Sequence, residues 1–168
     1  MNRKNFLFNT FMGSSLVTLA PFNSFAKFET EPEPYNTDIV KEFVIAGHGN
    51  LSRVKELLEQ YPNLIFARHD WGNGDFEEAI EGAGHVGNKD IARFLIAQGA
   101  RANMYVLTML GETAMVKSLL EKYPSQLNGK GPHGLTLLHH AIKGGEDSAE
   151  LLEYLKAKGL TEMQYKIK

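Results

Sequence analysis

The chain has 168 residues, 43% of them apolar, which is enough for one domain with a buried core. Its formal charge of −2, with acids and bases interspersed, provides no basic stripe for nucleic acid. Cysteine is absent, which excludes disulfides, thiolate metal sites, a cysteine nucleophile and a lipid anchor on an N-terminal cysteine.

The chain opens with Arg3 and Lys4, followed by an uncharged apolar run from Phe6 to Phe22 and the small-x-small order Ser24-Phe25-Ala26. That sequence of features predicts an export signal over residues 1–26, removed at Lys27. Asn9, Thr10, Gly13, Ser14, Ser15 and Thr18 weaken the run as a spanning helix. No stable membrane insertion is therefore expected after cleavage, and the mature protein belongs in the periplasm or outside the cell. The stretch Asn2 to Leu7 resembles a twin-arginine signal, with Lys4 where the second arginine is expected. Cleavage removes two positive charges and takes the formal charge from −2 to −4. Residues 27–37, KFETEPEPYNT, alternate Pro32 and Pro34 with glutamates and predict an extended linker.

From Asp38 onward one pattern repeats. After Gly49, Gly87 and Gly111, apolar residues recur at offsets of five, eight and nine: Val54, Leu57 and Leu58, then Ala92, Leu95 and Ile96, then Val116, Leu119 and Leu120. This is one face of a helix. After Gly145 the apolar residues Leu151, Leu152 and Leu155 arrive late, with Leu152 and Leu155 at offsets of seven and ten in place of five and eight, which predicts an insertion of two residues around Glu146 and Asp147. Each reference glycine closes a short preceding helix through a left-handed turn. Asn50 and Asn88 are suitable N-caps of the following helices, and Asp75 and Thr136 of the short helices in the second and fourth units. Tyr61-Pro62 and Tyr123-Pro124 end equivalent helices. The reading is an all-α chain of four helix-turn-helix units, at about 38–74, 75–101, 102–134 and 135–160, with a tail at 161–168. Such units stack because one pair cannot bury its apolar face alone.

Two segments resemble the ankyrin repeat family. Thr136-Leu137-Leu138-His139-His140-Ala141 is similar to that family's T-P-L-H-x-A, with Leu137 in place of proline. Gly87 to Asn103, GNKDIARFLIAQGARAN, is similar to the second-helix half of the same repeat. The segments DWGNGDFEEAI and GKGPHGLTLLHHA resemble small exported bacterial members of the family. The resemblance implies an ankyrin-type solenoid in which Thr136, His139, Gly49, Gly87, Gly111 and Gly145 are structural and inner helices and loop tips bind a protein. It implies no defined chemistry. The glycine steps of 38, 24 and 34 residues depart from the family's period of about 33. The short step leaves no room for a projecting loop between the second and third units.

The candidate contact residues are His69, Asp70, Trp71, Asn73 and Asp75 in a glycine-broken loop, then Glu78, Glu81 and His85, with Tyr105 and His133. Trp71, the only tryptophan, is a natural interface anchor or a cover for the first two units. Glu77, Glu78 and Glu81 read as an acidic patch on one short helix, with Glu77 and Glu81 sharing a face. Gly82-Ala83-Gly84-His85-Val86-Gly87 matches G-x-G-x-x-G, but a helix precedes it and no acidic residue follows at the required distance. Those glycines read as close helix packing. His133, His139 and His140 do not place three imidazoles on one helix face, so neither a metal nor a cofactor is expected. The functional expectation is a monomeric, non-catalytic module that binds a protein partner outside the cytoplasm. The alternative is a small-ligand or metal-binding protein or enzyme built on a His/Asp/Glu cluster near residues 69–85. That alternative requires these side chains to converge.

Overall fold

The computed structural model describes residues 32–167, so the export segment and residues 27–31 of the linker lie outside the described residues. Pro32 to Asn36 carry no helix or strand. Eight α-helices follow among the described residues, in four antiparallel pairs: α1 (Thr37–Gly47) with α2 (Leu51–Gln60), α3 (Ala79–Val86) with α4 (Lys89–Ala97), α5 (Met104–Met109) with α6 (Thr113–Lys122), and α7 (Leu137–Gly144) with α8 (Ala149–Ala157). The first helices form a row in which α1 packs on α3, α3 on α5 and α5 on α7.

The caps follow from side-chain chemistry. Asn50, Asn88 and Thr136 each accept a hydrogen bond from the backbone N–H three residues on. Gly87 and Gly111 take φ of 87° and 79°, as a left-handed turn requires. Gly49 does not adopt a positive φ; there α1 ends on His48, whose backbone stays right-handed. Pro62 and Pro124 start short 3-10 turns, Pro62–Phe66 and Pro124–Asn128. The two extra residues of the fourth unit form a further 3-10 turn, Gly145–Ser148.

The apolar positions of the repeat form the core. Phe43, Val54, Leu57, Ile80, Ile91 and Leu95 are buried together in one cluster. Val116, Leu120, Leu137, Leu151 and Leu155 form a second. Each fully buried leucine contributes about 1.5–3 kcal/mol. Leu58, Ile96, Leu119 and Leu152 of the predicted stripe are only partly buried and pack at the margin.

One element corrects the sequence reading. Residues 68–78 form a β-hairpin, β1 (Arg68–Asp70) paired antiparallel with β2 (Phe76–Glu78) in the register Arg68↔Glu78, His69↔Glu77 and Asp70↔Phe76. Phe76, Glu77 and Glu78 are therefore strand residues, and Asp75 caps no helix. The strand runs directly into α3, whose N-cap is Glu78. The reason is local: Gly72, Asn73 and Gly74 all adopt positive φ, and that turn reverses the chain and extends its flanks.

Candidate metal centre

A strand presents alternate side chains to opposite faces. Phe76 and Glu78 point one way along β2, and Glu77 points the other, into the interior beside α1 and α3. Its carboxylate has no solvent exposure. The expected solvated acidic patch is thus overturned: Glu77, Glu78 and Glu81 are all buried, and Glu77 and Glu81 do not share a helix face.

Three imidazoles surround Glu77. His85, in the last turn of α3, places Nδ1 3.0 Å from Oε1. His48, at the end of α1, places Nε2 3.6 Å from the same oxygen. His133, on a left-handed residue (φ 59°) in the turn Pro132–Gly134, places Nε2 3.5 Å from Oε2. One donor atom from each of these four residues lies within 4.8 Å of every other. For ligands about 2.0–2.2 Å from a tetrahedral ion, neighbouring donors are roughly 3.4 Å apart. The three spacings about Glu77, two to Oε1 and one to Oε2, bracket that value.

The histidines are held in one orientation. His48 Nδ1 donates to the Val44 carbonyl at 3.0 Å, so its Nε2 lone pair faces Glu77. Asp75 accepts from both the backbone N–H and the ring Nδ1 of His133, each at 2.7 Å, which presents that Nε2 in the same way. Trp71 Nε1 donates to Glu77 Oε2 at 2.8 Å. A histidine whose distal nitrogen is fixed by a carbonyl or carboxylate is the usual second shell of a metal ligand. Glycine makes the approach possible. A Cβ at Gly47 would lie 2.3 Å from the Ala79 carbonyl oxygen, and one at Gly82 would lie 2.8 Å from the His48 ring.

Two buried atoms are left over. Glu77 Oε1 and His85 Nδ1 lie 3.0 Å apart, within ion-pair distance, yet neither makes an aligned hydrogen bond to the other or to another group. A buried carboxylate oxygen without a partner is costly, and one beside an equally unpartnered imidazole nitrogen fits a site built around a cation. Burial pushes the Glu77 carboxyl up, but His85, His48 and the Trp71 hydrogen bond outweigh it, and the group stays below the ordinary carboxylate range.

The candidate residues divide. Trp71, Asp75, His85 and His133 belong to this centre, and His69 packs edge-on against Trp71 with ring centroids 4.5 Å apart. Asp70 instead caps the Gly72 N–H, and Asn73 is exposed in the hairpin turn. Glu78 and Glu81 join a separate network with Arg68, Arg101 and Asn103. There burial, and then Glu81, raise the Glu78 carboxyl above its ordinary value against the pull of Arg101 and Arg68. Tyr105 lies under the loop at Gly129 and Gly131, its hydroxyl pushed up to about 12 by burial and by Glu81. His139 is part of the scaffold: Thr136 Oγ1 accepts from its N–H, and its ring Nε2 bonds the His85 carbonyl at 2.8 Å, backing a ligand of the centre.

His48 was not singled out from the sequence, and Glu77 was read only as part of an acidic patch. A faint signal existed, since His48 and His133 each stand directly before a glycine, as His-Gly, at a helix end or turn. Gly82 and Gly84 serve close packing inside α3, as the sequence reading of that motif holds. No helix among the described residues is long and apolar enough to cross a membrane. No family model, curated protein or solved structure matches the chain.

Proposed function

We propose that the protein binds one divalent transition-metal ion through His48, Glu77, His85 and His133. The observation that carries this reading is the pair of buried, unpartnered atoms, Glu77 Oε1 and His85 Nδ1, facing each other among oriented imidazoles. Three nitrogens and one carboxylate oxygen suit zinc, cobalt, nickel or copper, whereas calcium and magnesium favour all-oxygen shells. The test is equilibrium dialysis of the full chain against Zn²⁺, followed by elemental analysis. One ion per chain is expected, falling to none in His85→Ala with an unchanged circular dichroism spectrum. Stoichiometric zinc retained by His85→Ala, or none taken up by the native chain, would refute the assignment.

The scaffold is proposed to be an ankyrin-type stack, supported by the row of first helices and the Thr136 cap. Only the first two units are joined by a hairpin finger among the described residues. Protein docking is a second reading, favoured by exposed Phe66 and Phe76 against the guanidiniums of Arg101 and Arg68. It expects that Phe76→Ser abolishes capture of one envelope protein while zinc uptake persists; unchanged capture counts against it. Export and action outside the cytoplasm, which rest on the sequence of residues 1–26, and a monomeric state complete the proposal.

A further inference from the structure

Resting on the metal reading above, we propose that the C-terminal tail, residues 161–167, is a positioning element of that centre. Through Gln164 it holds the backbone of His133 in the conformation that presents the imidazole to the ion.

His133 occupies a costly conformation. Its φ of 59° lies in the left-handed region, which few residues other than glycine adopt freely. Such a conformation persists only where neighbouring groups fix it. Asp75 holds one side, accepting from the His133 N–H and from its ring Nδ1. On the other side the His133 carbonyl has one partner among the described residues: Gln164 Nε2 donates to it at 2.8 Å. Released there, the backbone is free to relax toward an ordinary φ, and the ring moves with it, away from Glu77.

The tail is built onto this turn. Leu160, buried in the second core cluster, fixes the point from which it departs. Among the described residues, every hydrogen bond that leaves residues 161–167 ends between Lys130 and Thr136. The Tyr165 N–H donates to the Gly134 carbonyl at 2.8 Å, and the Thr136 N–H to the Met163 carbonyl at 3.1 Å. The Thr136 hydroxyl donates to the Glu162 carbonyl at 2.6 Å, and Lys130 Nζ to that of Lys166 at 3.0 Å. Leu135 and Gln164 form an antiparallel bridge. The approach is close enough that a Cβ at Gly134 would overlap the Tyr165 carbonyl oxygen.

The other three donors stand apart from this clasp. His48 ends α1, Glu77 lies on β2 and His85 lies in the last turn of α3. No hydrogen bond joins the tail to those elements among the described residues. The tail therefore acts on one ligand of the four, and by linkage an ion held by His133 in turn secures the tail.

The test titrates the full chain with Co²⁺ against a competing chelator and records the visible spectrum at saturation. Gln164→Ala, at an exposed position, should keep the native circular dichroism and bind Co²⁺ about tenfold more weakly. Its saturated spectrum should lose intensity as water replaces the His133 nitrogen and the coordination number rises. A double-mutant cycle reads the route of the effect. Gln164→Ala should cause no further loss in a His133→Ala background and its full tenfold loss in a His48→Ala background. Native affinity and a native spectrum in both Gln164→Ala and Tyr165→Pro, which removes the N–H bonded to Gly134, would overturn the proposal and leave the metal reading intact. Equal losses in the two backgrounds would also overturn it, since the tail would then support the fold in general. Failure of the native chain to bind Co²⁺ would overturn both readings.

Discussion

Metal binding to the folded chain should appear as thermal stability. The four donors come from residues 48, 77, 85 and 133, held together only in the native stack. An ion that binds the native state and not the unfolded chain stabilises it by about 4 kcal/mol at a thousand times Kd. For a domain of this size each kcal/mol moves Tm by roughly 3 °C, so the expected rise is about 12 °C. Without metal, Glu77 Oε1 is buried and unpartnered, a cost of about 1–3 kcal/mol. Glu77→Gln removes that buried charge, so the metal-free variant should melt within a few degrees of the native chain. Its zinc-induced rise should be largely lost. Scanning calorimetry of both proteins, with chelator, with Zn²⁺ and with Mg²⁺, makes the comparison. Equal zinc-induced rises in the two proteins, or no rise in the native chain with zinc, cobalt, nickel or copper, would refute the reasoning.

Asp75→Asn weakens the grip on the His133 ring and should lower zinc affinity by about 10–100-fold in a competition titration, with little change in metal-free Tm. Gly82→Ala adds a Cβ 2.8 Å from the His48 ring; the ring should be displaced and zinc binding weakened, as the same titration would show, while the helix persists. His140 is buried beside Tyr105, and its pKa is lowered from 6.5 to about 4, chiefly by burial. Its neutral form is favoured in the native state, so its contribution is intact above pH 6.5 and is lost as pH falls toward 4, about 3 kcal/mol in all. Chelator-treated His140→Asn should lose that part of the slope in urea unfolding measured at several pH values; an unchanged slope excludes the assignment. Leu95→Ala removes a fully buried side chain and should cost about 2–5 kcal/mol by urea unfolding, whereas Leu119→Ala, at the margin, should cost clearly less.

The helical frame was legible because it rests on local chemistry. Apolar spacing located Val54, Leu95 and Val116 in the core, and asparagine and threonine caps marked three helix starts. Leu119 shows the limit of periodicity: it keeps the helical spacing yet, like Leu58 and Ile96, is only partly buried. The hairpin was misread because Phe76 to Ile80 carries apolar and acidic residues at spacings that suit a helix turn as well as a strand. Only the positive φ values of Gly72, Asn73 and Gly74 decide between them. The centre itself was half visible. Trp71, Asp75 and His133 stood out as polar or aromatic groups in loops and turns, and His85 as an inner-helix contact. His48 did not, and Glu77 was read as part of a helical acidic patch, because their role depends on packing between units. Asp75 meets His133 across 58 positions, a pairing that no local pattern encodes. His139 and His140, grouped with His133 in the sequence, serve the scaffold instead.

The short 24-residue step from Gly87 to Gly111 has a consequence for how this molecule can change. With no finger between the second and third units, the turn before α7 reaches back over the third unit and delivers His133 to Asp75 and Glu77. Repeat arrays ordinarily lengthen or shorten by whole modules. Here, duplicating or deleting the middle pair would carry His133 away by about one helix spacing, roughly 8–10 Å, and dismantle the donor set. The number of modules is thereby locked by the chemistry they jointly support.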